Sequence, residues 1–536
     1  MTVSDDSMRL ALRNIAKYGD TDVFPFPLET HWFHDEEEQL LGILRQINGD
    51  FDAWVAKYPV LSVRSLSSVG YWGFRAATQI DPIWNCYLLA LTIQIAPEIE
   101  AARIPAERST VHAYRYAPDL ATSSLFNGAL GWGSFQREAL ALADRHACVL
   151  STDISDFYSR VYHHRLENAL QQATTNTEVV KRIKVLLFKL ASQTSYGIPV
   201  GGNASRLLAE LLLNRTDRLL LAEQVRFVRF VDDYYLFCDT REEAQRKLTF
   251  LSEVLLQNEG LGLSRSKTRL MTQAEFKRSS PAAAAAVADS EVESQARSFL
   301  RIRLAFDQYS PNAETEYETL KSEVEKYDVL AMLAREFDKS RIDEVVVRQL
   351  IKSIRFIEPD AQNGALLSIV NNIEKLYPVF PTVSILLRRL LGDMEPTTRA
   401  EVLSCIRGLV RDQSHIVQVP TNLTFAIRLL AQDTAEETDA LLIALHNSPR
   451  IDMMAKRDII IAMTKRRVSY WLSDVLRRYP VLTPWEKRTL IVASYTLGDE
   501  GRHWRDAIRP QLSIVDTEFM RWVGGKYNGR IWDIPI

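Results

Sequence analysis

Residues 225–238 read VRFVRFVDDYYLFC, a run of β-branched and aromatic side chains of the kind that builds strands, with Asp232 and Asp233 adjacent in its middle. A strand rarely sets two like charges side by side. The spacing predicts a hairpin whose turn carries the acid pair. A second apolar run, ACVLSTDIS at 147–155, ends in the same way and delivers Asp153, with Asp156, Phe157 and Tyr158 just behind it.

Carboxylates brought together at strand ends make a site for a hard cation. Mg²⁺ takes oxygen ligands and is commonly held by one or two carboxylates plus substrate phosphates. Two such ions stabilise the attacking and leaving oxygens of an in-line phosphoryl displacement. Each acid taken alone has a plainer reading: an Asp-Asp pair suits an ordinary turn, and Asp153 suits a helix N-cap. Their order and spacing together favour the metal site.

The surrounding pattern places these acids in an α+β segment. TEVVKRIKVLLFKLAS (177–192) has helical periodicity, GIPVGGNASRLLAELLLNRTDRLL (197–220) is a glycine turn feeding a long helix, and REEAQRKLTFLSEVLLQNEG (241–260) is a further helix. STVHAYRYA (109–117) alternates as a strand. Pro25 and Pro27 keep GDTDVFPFPLETHWF (19–33) from being one regular element, so it is expected to pack as an ordered arm. Beyond the alanine-rich stretch around 281–294, expected to be a linker, nearly every segment to residue 536 repeats at 3.6 residues with short connections. That pattern predicts an all-α array of HEAT-like repeats.

Composition is that of a globular chain: 536 residues, 46% hydrophobic and 25% charged. No apolar run reaches the roughly 18 residues of a membrane span, and MTVSDDSMRL lacks a secretory signal, so a cytoplasmic protein without a membrane partner is expected. Four scattered cysteines form no C-x-x-C pair, which argues against a disulfide framework or a zinc site. The net charge of −3 is uneven, with 24 Lys and Arg against 19 Asp and Glu in residues 101–280. That bias allows a local phosphate-binding groove without requiring a broad one.

DISDFY (153–158), GIPVGGNASRLLAE (197–210), FVDD (230–233) and GLGLSRSKTRLM (260–271) resemble, in order, motifs A, B, C and D of reverse transcriptases. The flanks GDTDVFPFPLE (19–29), ATQIDPIWNCYLLAL (77–91), IEAARIP (99–105) and HAYRY (112–116) resemble the bacterial defence-associated members, the abortive-infection and unknown-group enzymes. The resemblance implies a right-hand palm and fingers, with an N-terminal arm and fingers region over 1–110, fingers and palm over 111–280, and the helical array over 295–536. It implies synthesis of DNA from dNTPs in antiphage defence, protein-primed and untemplated or copying a dedicated non-coding RNA. Asp153, Asp232 and Asp233 would hold two Mg²⁺, with Mn²⁺ able to substitute and the Ile154 carbonyl as an extra ligand.

By the same resemblance Tyr158 stands at the steric gate, where an aromatic ring crowds a ribose 2′-OH. Gly201 and Gly202 would let backbone approach the nucleotide, though such a pair also suits a tight turn. Arg115 is a candidate for the incoming triphosphate, or a surface strand arginine. Lys267 would give a proton to pyrophosphate, or face solvent. Val200 and Phe230 replace the Gln and Tyr of retroviral relatives, and no thumb pattern follows Lys277. A homo-oligomer or a partner polymerase is expected to complete the machine. The alternative is an inactive, polymerase-like scaffold or RNA-binding assembly protein. A helical ribonuclease with an R-x4-6-H pattern is argued against, because Arg411 and His415 enclose only three residues.

Overall fold

The computed structural model describes residues 2–279, 298–300, 302, 304, 313–528 and 531–536, so the expected 281–294 linker lies outside the described residues. The chain divides into two compact units. One comprises 1–22, 26–62 and 77–288; the other comprises 23–25, 63–76 and 289–536.

The first unit is organised on a four-stranded antiparallel sheet. Its strands are β5 (Cys148–Asp153), β6 (Arg226–Phe230), β7 (Asp233–Cys238) and β8 (Arg269–Thr272), in the order β6-β7-β5-β8. The four earlier strands are β1 (Ser62–Val69), β2 (Gly73–Ile80), β3 (Tyr116–Asp119) and β4 (Ser124–Phe126), in two hairpins. Because strand side chains alternate between faces, β7 serves two cores at once. Phe237 joins Val149 and Val228 against Phe135, Ala139, Ala143 and Phe276, from the helices Trp132–Ala143 and Gln273–Ser279, with Tyr235 at the edge of that cluster. Tyr234 points the other way, its hydroxyl 3.4 Å from Asp217 on the helix Asn203–Ala222. Pro82–Gln94, buried along nearly its whole length, packs against Asp5–Tyr18, Thr177–Leu190 and Asn203–Ala222.

The STVHAYRYA stretch is not the strand that its alternation predicts. Tyr114 has φ +44°, which breaks the extended run, and pairing resumes only in β3 with β4. The residues before it are held instead by the β6 backbone: Arg229 N donates to the Thr110 carbonyl and His112 N to the Arg229 carbonyl.

The second unit is a helical array. Glu344–Ser353, Phe380–Leu390, Pro420–Leu430, Met453–Lys465, Pro484–Ser494 and Ile514–Tyr527 pack one on the next, and Val329–Asp338, Pro359–Asn371, Pro396–Arg411 and Glu436–Asn447 form a second row. Proline opens several of these helices, at Pro359, Pro396, Pro420 and Pro484, where the missing N–H costs no intrahelical bond. Met453–Lys465 is buried along nearly its whole length, and its buried carboxylate is paired: Asp458 accepts from Arg428 of Pro420–Leu430 at 2.7 Å and from Arg457 on its own helix. The tip of the β1–β2 hairpin belongs to this unit. Ser65 donates to Asp452 at 2.6 Å, Thr421 donates to the Leu66 carbonyl, and Tyr71 donates to the Lys375 carbonyl. Among the described residues no helix is long and apolar enough to cross a membrane, and all four cysteines are free thiols.

Candidate active site

The β6–β7 connection is a two-residue turn, Val231-Asp232, closed by pairing of Phe230 with Asp233. Val231 has φ +56°, a region that β-branched residues avoid at a cost of roughly 1–3 kcal/mol. The neighbouring strand completes the acidic group. Asp153 pairs in register with Asp233, and the Ile154 amide donates to the Asp232 carbonyl at 3.1 Å, so the three aspartates are assembled by backbone geometry. Asp153 ends β5 rather than capping a helix; the N-cap of the next helix, Phe157–Arg160, is Asp156.

This grouping is electrostatically expensive. Burial, then the charges of Asp153 and Asp233, push the Asp232 carboxyl up to about 7. Burial and Asp153 push Asp233 up to about 6, with Lys267 pulling the other way. Lys267 reaches Asp153 Oδ2 at 2.6 Å and is the cation in contact with the trio. Desolvation of its ammonium is outweighed by that hydrogen bond and by the aspartate charges, and its pKa is raised. Among the described residues no three acid, His or Cys side chains form a ready-made ion cage. The three carboxylates fit a divalent cation nonetheless, because they carry more negative charge than one lysine offsets and are acceptor-only ligands.

Around Tyr158 the backbone is tightly tied. The Ile198 amide donates to the Tyr158 carbonyl at 2.9 Å and the Gly197 amide to the Val161 carbonyl at 2.8 Å, which docks the glycine turn against the Phe157–Arg160 helix. Gly201 has φ +106°, a conformation that requires glycine there. Gly202 is extended, at φ −84°, and serves as the N-cap of Asn203–Ala222. The Tyr158 hydroxyl is held well above its usual range by burial, with Tyr114, Arg206, Glu210 and Asp232 close enough to act on it. Arg206 lies over the Tyr114 ring at 5.0 Å and bonds Asp22 and Asn203. Tyr158, Arg206 and the acidic hairpin therefore share one locality.

Arg115 is placed differently from its sequence expectation. Its guanidinium is buried, pairs with Glu100 at 2.5 Å and donates to the Ile104 carbonyl. It begins a buried chain of charge. Arg103 bonds Glu100, Glu210 and the carbonyls of Ala113 and Tyr114; Arg229 bonds Glu210 and Asp217, and donates to the Val231 carbonyl at 2.7 Å. Three arginines thus face three carboxylates, and the last arginine grips the strained turn that carries Asp232. Sequence reasoning passed over Arg103, Arg206, Glu210, Asp217 and Arg229. A signal existed in the helix Asn203–Ala222, where Asn203, Arg206, Glu210, Asn214 and Asp217 recur at intervals of three and four, a polar stripe along an otherwise leucine-rich segment.

Residues 98–303 match the family model of the reverse transcriptase (RNA-dependent DNA polymerase). No curated protein matches the chain. Among solved structures, a telomerase from Candida albicans in complex with a fragment of telomeric RNA shares 11% identity, covering 75% of this chain and 70% of that one at a TM-score of 0.30. Apo telomerase from Candida tropicalis shares 11% identity over 80% and 73% at a TM-score of 0.29. The family match runs from before β3 to beyond β8 and so spans the four-stranded sheet: the chain carries a reverse transcriptase domain, and the activity this domain indicates is that of an RNA-directed DNA polymerase.

Proposed function

We propose that the chain extends DNA with deoxynucleotides at Asp153, Asp232 and Asp233, and that it acts in the cytoplasm as a member of the bacterial defence-associated reverse transcriptases. The observation that carries the site is the register pairing of Asp153 with Asp233, which sets three half-buried or buried carboxylates together, with Lys267 against Asp153. Two Mg²⁺ bound there, or Mn²⁺ in their place, would neutralise the phosphates and activate the attacking hydroxyl. The Ile154 carbonyl, next to Asp153, is a further oxygen donor.

The chain's own residues supply the rest. Tyr158, anchored by Ile198, presents its ring where a 2′-OH would sit and so favours deoxynucleotides. Gly201 and Gly202 keep the approach to the helix Asn203–Ala222 free of side chains. Arg206, rather than the buried Arg115, would take the triphosphate, exchanging its bonds to Asn203 and Asp22 for phosphate oxygens. Lys267, kept protonated beside Asp153, is a proton donor for departing pyrophosphate. Arg103, Arg115 and Arg229 are positioning residues that hold the turn.

The finer biological reading rests on the motifs and flanks of the sequence: antiphage action, protein priming without a template or copying of a dedicated non-coding RNA, a HEAT-like array in place of a thumb, and assembly with copies of itself or a partner polymerase. The test is incubation of the full chain with Mg²⁺ and each labelled dNTP or NTP, without template and then with a primed RNA. Incorporation of dNTPs that disappears in Asp232→Asn is the expected result. Undiminished synthesis by that variant would refute the assignment.

A further inference from the structure

Within the helical unit, a cavity of about 560 Å³ lies between the helices Glu344–Ser353 and Phe380–Leu390, with the short turn Ile354–Phe356 at one end. Its walls are of two kinds. Ile351, Ile385, Leu386 and Leu304 supply apolar surface, and Lys352, Arg355 and Arg389 supply cationic groups. Among the described residues no carboxylate lines it. Arg355 donates to the Leu304 carbonyl at 2.5 Å, which fixes its guanidinium at the cavity wall.

Lys352 and Arg389 are the informative members. Both reach solvent at their ends, and neither has a hydrogen-bond or ion-pair partner among the described residues. Some exposed basic side chains of this unit find an acid, as Arg477 does with Asp474 and Arg502 with Asp499. Here the cations face one another. Burial, then the charges of Arg348 and Arg355, lower the Lys352 ammonium, and burial with Arg389 pulls Arg355 down to about 10. Cations gathered at a concave surface attract an anion. A bare phosphate would use the cations and leave the apolar walls unused. The volume falls within the roughly 300–1,000 Å³ usual for small-molecule sites.

We infer that this cavity is a binding site for a nucleotide, with its phosphates on Lys352, Arg355 and Arg389 and its base against Ile351, Ile385 and Leu386. The inference is independent of the polymerase site, which lies in the other unit.

The test is isothermal titration of the full chain with dATP and with inorganic triphosphate in EDTA, where the acidic trio repels phosphate. One-to-one binding of dATP, weakened about tenfold or more in K352Q/R389Q, is expected, since each charged contact contributes roughly 1.5–3 kcal/mol, or about 10- to 150-fold. A second variant, Ile385→Glu, places a carboxylate on the apolar wall and should weaken dATP binding too; circular dichroism checks that both variants fold. Inorganic triphosphate should bind more weakly than dATP. The inference is overturned by dATP affinity that is unchanged in folded K352Q/R389Q, or by the absence of binding at millimolar dATP. It is equally overturned by triphosphate binding as tightly as dATP, or by a loss in the variant confined to a labelled dT20 oligonucleotide.

Discussion

Replacing Arg229 by Met would cut the buried charge chain at the point where it meets the catalytic turn. Arg229 is fully buried and spends its guanidinium on Asp217, on Glu210 and on the Val231 carbonyl. Met matches much of its bulk, so little cavity arises and the loss is electrostatic. Glu210 keeps Arg103 at 2.6 Å, whereas Asp217 is left with the Tyr234 hydroxyl at 3.4 Å. Removing one partner of a buried pair costs about 3–5 kcal/mol, because the survivor is buried without compensation. With a urea dependence of about 2 kcal/mol per M, the unfolding midpoint of the polymerase unit should fall by roughly 2 M. The deficit has a pH signature. Burial already raises the Asp217 carboxyl against the pull of Arg229, and without that pull it rises further. A carboxyl raised in the folded state contributes stability at low pH that is lost as pH climbs through its folded value. The variant should therefore lose more at pH 8 than at pH 5. Adding Asp217→Asn should recover at least about half of the loss, as expected of groups in direct contact. Urea titration followed by tyrosine and tryptophan emission, with dNTP incorporation measured alongside, reads all of this. A midpoint for Arg229→Met within about 0.5 M of the parent, or no recovery in the double variant, would refute the network's role.

Asp232→Asn should abolish incorporation yet stabilise the metal-free protein at pH 8. A carboxyl at about 7 against an ordinary 3.8 withholds up to roughly 4 kcal/mol there. By the same sign, the parent in EDTA should melt at lower temperature at pH 8 than at pH 5.5, and Mg²⁺ should reverse the trend; scanning fluorimetry checks both. Tyr158→Ala should raise rNTP over dNTP incorporation about tenfold or more, a change of roughly 1.4 kcal/mol in relative transition-state binding. An unchanged ratio would place sugar selection elsewhere. Arg206→Ala should raise the KM for dNTPs by about 10- to 150-fold, the worth of a charge-assisted contact, with circular dichroism unchanged. Lys267→Gln should lower the rate of the chemical step most at high pH, measured by single-turnover incorporation.

The acidic hairpin was legible because two carboxylates interrupt a strand pattern, and although such a pair alone suits an ordinary turn, a second strand that ends at Asp153 sets it apart. The helical array was legible from period alone. Arg229 was not, since an arginine alternating with Val228 and Phe230 in a short strand reads as a solvent-facing residue until Asp217 and Glu210 are seen beneath it. Arg115 misled for a related reason: the HAYRY alternation suggests a strand with an outward arginine, but the left-handed Tyr114 breaks the strand, and the Arg115 guanidinium is buried against Glu100. Contacts between residues far apart in sequence leave no local mark.

The β1–β2 hairpin bears on the order in which the chain can fold. Ser65 and its partner Asp452 are 387 residues apart. At a synthesis rate of about 5–20 residues per second, the hairpin tip would leave the ribosome ~20–80 s before the helix it bonds exists. Val63, Ser65 and Ser67, buried in the finished protein, would spend that interval in water or on a chaperone. The hairpin tip therefore cannot reach its final packing as it emerges, and premature termination anywhere before Asp452 should leave Ser65 without its partner.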